Sequence, residues 1–179
     1  MGLVQFKTFQ PHPDERGVFA EIFRESWGLD VSPVQWNIVS SNANVLRGFH
    51  VHACHADYLM CVAGEMLLGL KDVRPESPTY GQVETHVLSE HNLAAAIIPP
   101  GVAHGFYFER PAKHLYSVTE YWNMHDEMGC HWEDPGIGIS WGAKDPALSK
   151  RDQEAGSLDE MISDFVKRRE ALAKQKKKL

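Results

Sequence analysis

From residue 17 to about 141 the chain is a succession of short strand-like runs, each closed by a turn signal, with no helical run between them. The runs are GVFAEIF (17–23), VQWNIVSS (34–41), VLRGFHVH (45–52), DYLMCVAGEMLLGLKDV (57–73), GQVETHVLS (81–89), AAAIIPPG (94–101), AHGFYFE (103–109), AKHLYSVTEYW (112–122) and GIGISW (136–141). They are rich in β-branched and aromatic residues and bounded by Gly and Pro, which permit or fix the dihedrals a turn needs. Strands at this spacing predict a mostly β domain folded as an antiparallel sandwich or barrel. Residues 157–172 (SLDEMISDFVKRREAL) differ. Leu158, Met161, Ile162, Phe165 and Val166 recur at helical spacing behind Ser157, a residue type that caps helix N-termini. The expected organisation is a β-domain over residues 1–156, then an amphipathic helix and basic tail over 157–179.

At 179 residues and 43% hydrophobic, the chain suits one domain with a sizeable core. Its net charge of −6 conceals an asymmetry: residues 167–179 carry seven Lys/Arg and one Glu, leaving 11 basic against 23 acidic residues before them. A body at −12 is a poor general binder of nucleic acid, so a phosphate-bearing ligand would need local arginines. The tail itself reads as a solvated helix end, with cations at the C-terminal dipole. Three cysteines without CxxC spacing argue against a disulfide framework and for a reducing, cytoplasmic setting. No apolar run approaches the ~18–20 residues of a membrane span, and MGLVQFKTFQPHPDERG lacks the apolar core of a signal peptide.

The chemistry concentrates in VLRGFHVHACHADYLMCVAG (45–64), which holds His50, His52 and His55 ahead of Asp57. Residues two apart on a strand face the same side, so His50 and His52 can both point inward. With Pro99-x-Gly101-x-x-His104 downstream, the stretch resembles the two motifs of the cupin superfamily, whose jelly-roll barrels carry their sites between both motifs. That resemblance implies a possible metal set of His50, His52, Asp57 and His104, donors that suit several transition metals without choosing among them.

A narrower resemblance runs through residues 5–152. DERGVFAEIF, VQWNIVSS, VLRGFH, DVRPESPTYG, IPPGVAHGF, LYSVTEYW, WEDPGIGISW and LSKRD occur in the order found in the dTDP-4-dehydrorhamnose 3,5-epimerase family. The resemblance implies a dimeric cupin-fold enzyme acting on a nucleotide-linked 4-keto-6-deoxyhexose, with no nucleic-acid or membrane partner. The ketone acidifies the C–H bonds at C3 and C5, so a base and an opposing acid suffice, and no cofactor is expected. The family motifs assign the base to His50, its carboxylate partner to Asp152 and the acid to Tyr116. They assign substrate binding to Arg16, Glu21, Gln35, Asn37, Arg47, His104 and Tyr121, with Arg16 reaching the pyrophosphate from a neighbouring subunit.

Three positions depart from the family pattern. Asp57 stands where the family usually has an enolate-stabilising Lys, and Leu68 where that Lys has its acidic partner. His52 stands where Gln is common. The residues therefore leave open a metal-dependent isomerase or dioxygenase on the His/Asp set, and a sugar-nucleotide binder without activity.

Overall fold

A computed structural model describes residues 2–176, so the last three residues of the basic tail lie outside the described residues. The strands are β1 (Gln5–Thr8), β2 (Pro11–Asp14), β3 (Gly17–Ala20), β4 (Gln35–Ser41), β5 (Val45–Val51), β6 (Asp57–Ala63), β7 (Glu65–Asp72), β8 (Val83–Ser89), β9 (Ala94–Ile98), β10 (Val102–Phe108), β11 (Ala112–Val118) and β12 (Met128–Gly129). A one-turn helix α1 (Lys150–Gln153) and a long helix α2 (Leu158–Lys176) follow. Two five-stranded sheets form, in the orders β1-β9-β6-β11-β4 and β12-β5-β10-β7-β8, while β2 and β3 make a separate hairpin. All named strand pairs are antiparallel. This is the mostly β jelly-roll barrel with a C-terminal helix that the sequence predicts.

The sheets share a core to which both contribute, including Leu59 and Ile98 from the first and Leu68, Leu70 and Phe108 from the second. The run 57–73, which reads as one stretch, divides at Gly64, where the chain passes from the first sheet into the second. Gly64 has φ +76°, and a Cβ there would lie 2.8 Å from the Pro111 carbonyl oxygen, so only glycine turns this corner without strain. GIGISW, expected as a strand, forms none. Its alternation reflects burial rather than pairing, because Ile137 and Trp141 pack over the second sheet's outer face beside Phe49.

Helix α2 covers that same face through buried Leu158, Met161 and Phe165, each worth about 1.5–3 kcal/mol in removed apolar surface. Its start is a capping box. The Glu160 amide donates to Ser157 Oγ at 3.3 Å, and the Ser157 amide donates to Glu160 Oε2 at 2.8 Å.

Fully buried Asp72, closing β7, organises the turn PESPTYG. Its carboxylate accepts from the Arg74 amide at 2.9 Å and from the Arg74 guanidinium at 2.9 and 2.7 Å. The hydroxyls of Ser77 and Thr79 donate to it at 2.6 Å each. Burial alone would raise its pKa, but Arg74 and the two hydroxyls hold it well below the carboxylate range. A depressed folded pKa gives stability that is complete above the unfolded value of about 3.9 and is lost as pH falls through the folded value. Asp72→Asn should therefore lose on the order of 3–5 kcal/mol at neutral pH and show a flatter acid limb. Urea unfolding from pH 7 to pH 2 checks both, and a variant as stable as its parent at pH 7 would contradict them.

Candidate active site

A cavity of about 650 Å³ lies between the sheets. The second sheet supplies Arg47, His50, His104 and Phe106, and the first supplies Asn37, Asp57, Leu59 and Tyr116. Arg47 and His50 are three apart and would face opposite sides of a regular strand. The β5–β10 register runs from His50↔His104 to Arg47↔Phe106, so β5 carries one extra residue between those pairs. This bulge inverts the phase, and both side chains line the cavity. Gly48 makes the bulge possible: it has φ +120°, and a Cβ there would meet Gly105 Cα at 2.8 Å.

His50 Nε2 lies 2.6 Å from Asp152 Oδ1. Asp152 reaches it from α1, whose N-cap Ser149 accepts the Asp152 amide at 3.1 Å. Burial works to raise the Asp152 pKa, but the His50 hydrogen bond and charge, the Ser149 hydroxyl and Arg151 prevail and keep the carboxyl below its ordinary value. An ionised carboxylate only accepts, so Nε2 carries the proton and Nδ1 keeps the lone pair. The Arg151 guanidinium lies against the ring, with Nη2 2.9 Å from Nε2 and 3.3 Å from Nδ1. Its Nη1 donates to Glu127 Oε2 at 2.8 Å.

Across the cavity, Tyr116 sits on β11 opposite Asn37 of β4 and Leu59 of β6. Burial, then the charges of Asp57 and Glu127, raise its pKa, so the phenol is held protonated. His104 is buried, and desolvation followed by the charge of His52 puts its pKa well below 6.5. His104 is therefore a neutral imidazole at neutral pH.

His50, Asp152, Tyr116, Asn37, Arg47 and His104 thus gather at one cavity. Gln35 supports it from behind, donating to Asn37 Oδ1 at 2.9 Å and accepting from the Trp122 amide at 3.2 Å. Trp122 lines the cavity, whereas Tyr121 is 75% exposed and faces a neighbouring groove beside α2. Arg16 and Glu21 are not among the residues lining this cavity. Each pairs locally at the surface, Arg16 with Asp14 and Glu21 with Arg24. Of the four residues in the alternative metal set, His52, Asp57 and His104 cluster, while His50 turns to Asp152 and stands outside. Leu68 is core. Reasoning from sequence missed Arg151 and Glu127. Arg151 lies inside LSKRD and was within reach, whereas Glu127 follows a 3-10 turn (Met124–Asp126) and carries no spacing signal.

A two-sheet antiparallel barrel with polar side chains converging between its sheets is a cupin-type domain. The model for dTDP-4-dehydrorhamnose 3,5-epimerase matches residues 2–160, and this chain belongs to that family. The dTDP-4-dehydrorhamnose 3,5-epimerase of Salmonella typhimurium is 38% identical over 159 residues, covering 83% of this chain and 87% of its own. The spore coat polysaccharide biosynthesis protein SpsL of Bacillus subtilis is 32% identical, covering 79% of this chain and 96% of its own. Among solved structures, the Legionella pneumophila epimerase RmlC in complex with dTDP-4-keto-L-rhamnose superposes with TM-score 0.84 at 30% identity, covering 92% of this chain and 93% of that one.

Proposed function

We propose that this protein epimerises a nucleotide-linked 4-keto-6-deoxyhexose at C3, C5 or both, within deoxysugar or surface-polysaccharide biosynthesis. One observation carries the reading: a His–carboxylate pair, His50 on the second sheet with Asp152 on α1, and a phenol on the first sheet line the same cavity. His50 Nδ1 removes the proton α to the ketone from one face of the sugar, and Asp152 stabilises the imidazolium that forms. Electrons from the broken C–H bond delocalise onto the ketone oxygen as an enolate. Tyr116 then delivers its proton to the same carbon from the opposite face, which inverts it. A phenol with a raised pKa is a poor donor to water, but the enolate is basic enough to take its proton. Arg47 and Arg151 are the guanidinium groups on the cavity wall, suited to a pyrophosphate.

The working unit is a homodimer. Val18 and Phe19 on the β2–β3 hairpin are each 64% exposed, and Ile38 on the edge strand β4 is 67% exposed. Burying these against a second copy would carry Arg16 and Glu21 toward the partner's cavity. The three free cysteines suit a reducing cytoplasm.

Incubation in deuterated water with 4-keto-6-deoxy sugars linked to dTDP, GDP and CDP tests the activity. Deuterium should enter at C3 or C5 of at least one, and none entering any of them would overturn the reading. In the same assay Tyr116→Phe should keep deuterium exchange while inversion falls by about 10²–10⁴-fold. Inversion at the parental rate would remove Tyr116 from the role of acid.

A further inference from the structure

We propose that His114 reads the substituent at C2 of the hexose, favouring substrates with a hydroxyl there over 2-deoxy sugars. The identity of the substrate rests on the epimerase reading. The contact itself is assigned by no family motif, since His114 stands immediately before LYSVTEYW.

Strand β11 pairs with β4 without interruption from Ala112 to Val118, so His114 and Tyr116 share a face. Both line the cavity. The imidazole is 1% exposed and sits among aromatic rings. Its centroid is 5.5 Å from that of Phe106, 5.5 Å from that of Phe108 and 6.1 Å from that of Tyr116. Such surroundings would accept a phenylalanine, yet they hold a histidine whose Nδ1 is buried without a hydrogen-bond partner. A buried polar atom left unpaired is destabilising, so packing alone does not account for it. Desolvation, then the charge of Arg47, lowers the His114 pKa to about 4, and the ring is neutral at neutral pH. A neutral imidazole offers one N–H and one lone pair, which suits an uncharged hydroxyl better than a phosphate.

Position selects which hydroxyl. Phe106 packs against His114 and pairs across the sheet with Arg47, the guanidinium suited to the pyrophosphate. On the same face of β11 the next side chain is Tyr116, the acid for the inverted carbon. His114 is thus flanked by the groups that address the two ends of a short path through the sugar. From the phosphate-bearing C1, that path runs through C2 to C3, or through the ring oxygen to C5. The ring oxygen only accepts and is common to all such sugars. The C2 hydroxyl both donates and accepts, matching either nitrogen of the imidazole.

Calorimetry of the full-length protein with dTDP-, GDP- and CDP-glucose and their 2-deoxy analogues reads the contact apart from catalysis, because these sugars carry no ketone. For the nucleotide that binds best, the 2-hydroxy sugar should bind about 10–100-fold more tightly, the range for leaving a buried polar group unpaired. His114→Phe fills the aromatic pocket and should bring that ratio close to one by weakening the 2-hydroxy sugar alone. His114→Gln keeps a donor and an acceptor and should restore part of the preference. A wild-type ratio close to one overturns the proposal without reference to any variant, as does failure of every one of these sugars to bind. A preference that His114→Phe leaves intact makes the histidine structural and overturns its role. Deuterium exchange into a 4-keto sugar alongside a wild-type ratio close to one sinks this proposal alone. A preference of the expected size, erased by His114→Phe, without exchange into any sugar sinks the epimerase reading alone.

Discussion

Replacing His50 by asparagine should lower kcat by about 10²–10⁴-fold, the range a positioned general base contributes. The effect should fall equally on inversion and on solvent exchange, because both begin with proton abstraction. Asparagine is shorter than histidine and polar, and the imidazole is largely buried against Gly129, where an added Cβ would lie 2.9 Å from its Cδ2. The substitution thus removes the base without crowding the cavity. Arg47 and Arg151 remain on the wall, so a nucleoside diphosphate should bind with an unchanged Kd. Calorimetry with dTDP and the deuterium assay on one preparation separate the two effects. Exchange that survives in His50→Asn would hand the base to another group. His104 is the obvious rival, since it is neutral and lines the same cavity.

How much of this arrangement a sequence can disclose depends on the range of the physics involved. The barrel strands were legible because their periods and turn residues are local, and the Ser157–Glu160 capping box is a four-residue signal. GIGISW misled because alternation reports burial, and Ile137 and Trp141 are buried without pairing to a strand. The short strands β1, β2 and β12 carry too few residues for any period. Period-two reasoning placed His50 and His52 on one side correctly, yet it puts Arg47 on the other. Only the register of β5 against β10 reveals the bulge that brings Arg47 round. Asp152 is 102 residues from His50, and no spacing rule connects them. The family motif carries that partner, whereas the contact of Arg151, its neighbour in the chain, with the same ring follows only from the fold.

The second large effect is expected at Asp152. Asp152→Asn keeps the shape, the burial and the amide that Ser149 Oγ caps, so α1 should form as before. What changes is which nitrogen of His50 holds the proton. A carboxylate can only accept, and it fixes the Nε2–H tautomer with the lone pair on Nδ1. An amide can turn its NH₂ toward Nε2 instead, and the imidazole then protonates Nδ1 and loses its base at that position. The imidazolium formed during abstraction also loses its counter-charge at 2.6 Å, in a buried setting where that charge counts most. The expected loss in kcat is on the order of 10³–10⁴-fold with KM little changed, as when a histidine base is left in the wrong tautomer. Nitrogen chemical shifts of the His50 ring should show the proton moving from Nε2 to Nδ1, which a merely structural carboxylate would not produce. If Asp152→Asn instead raises KM at constant kcat, the carboxylate acts on substrate binding, and the proton-transfer pair has to be sought elsewhere in the cavity.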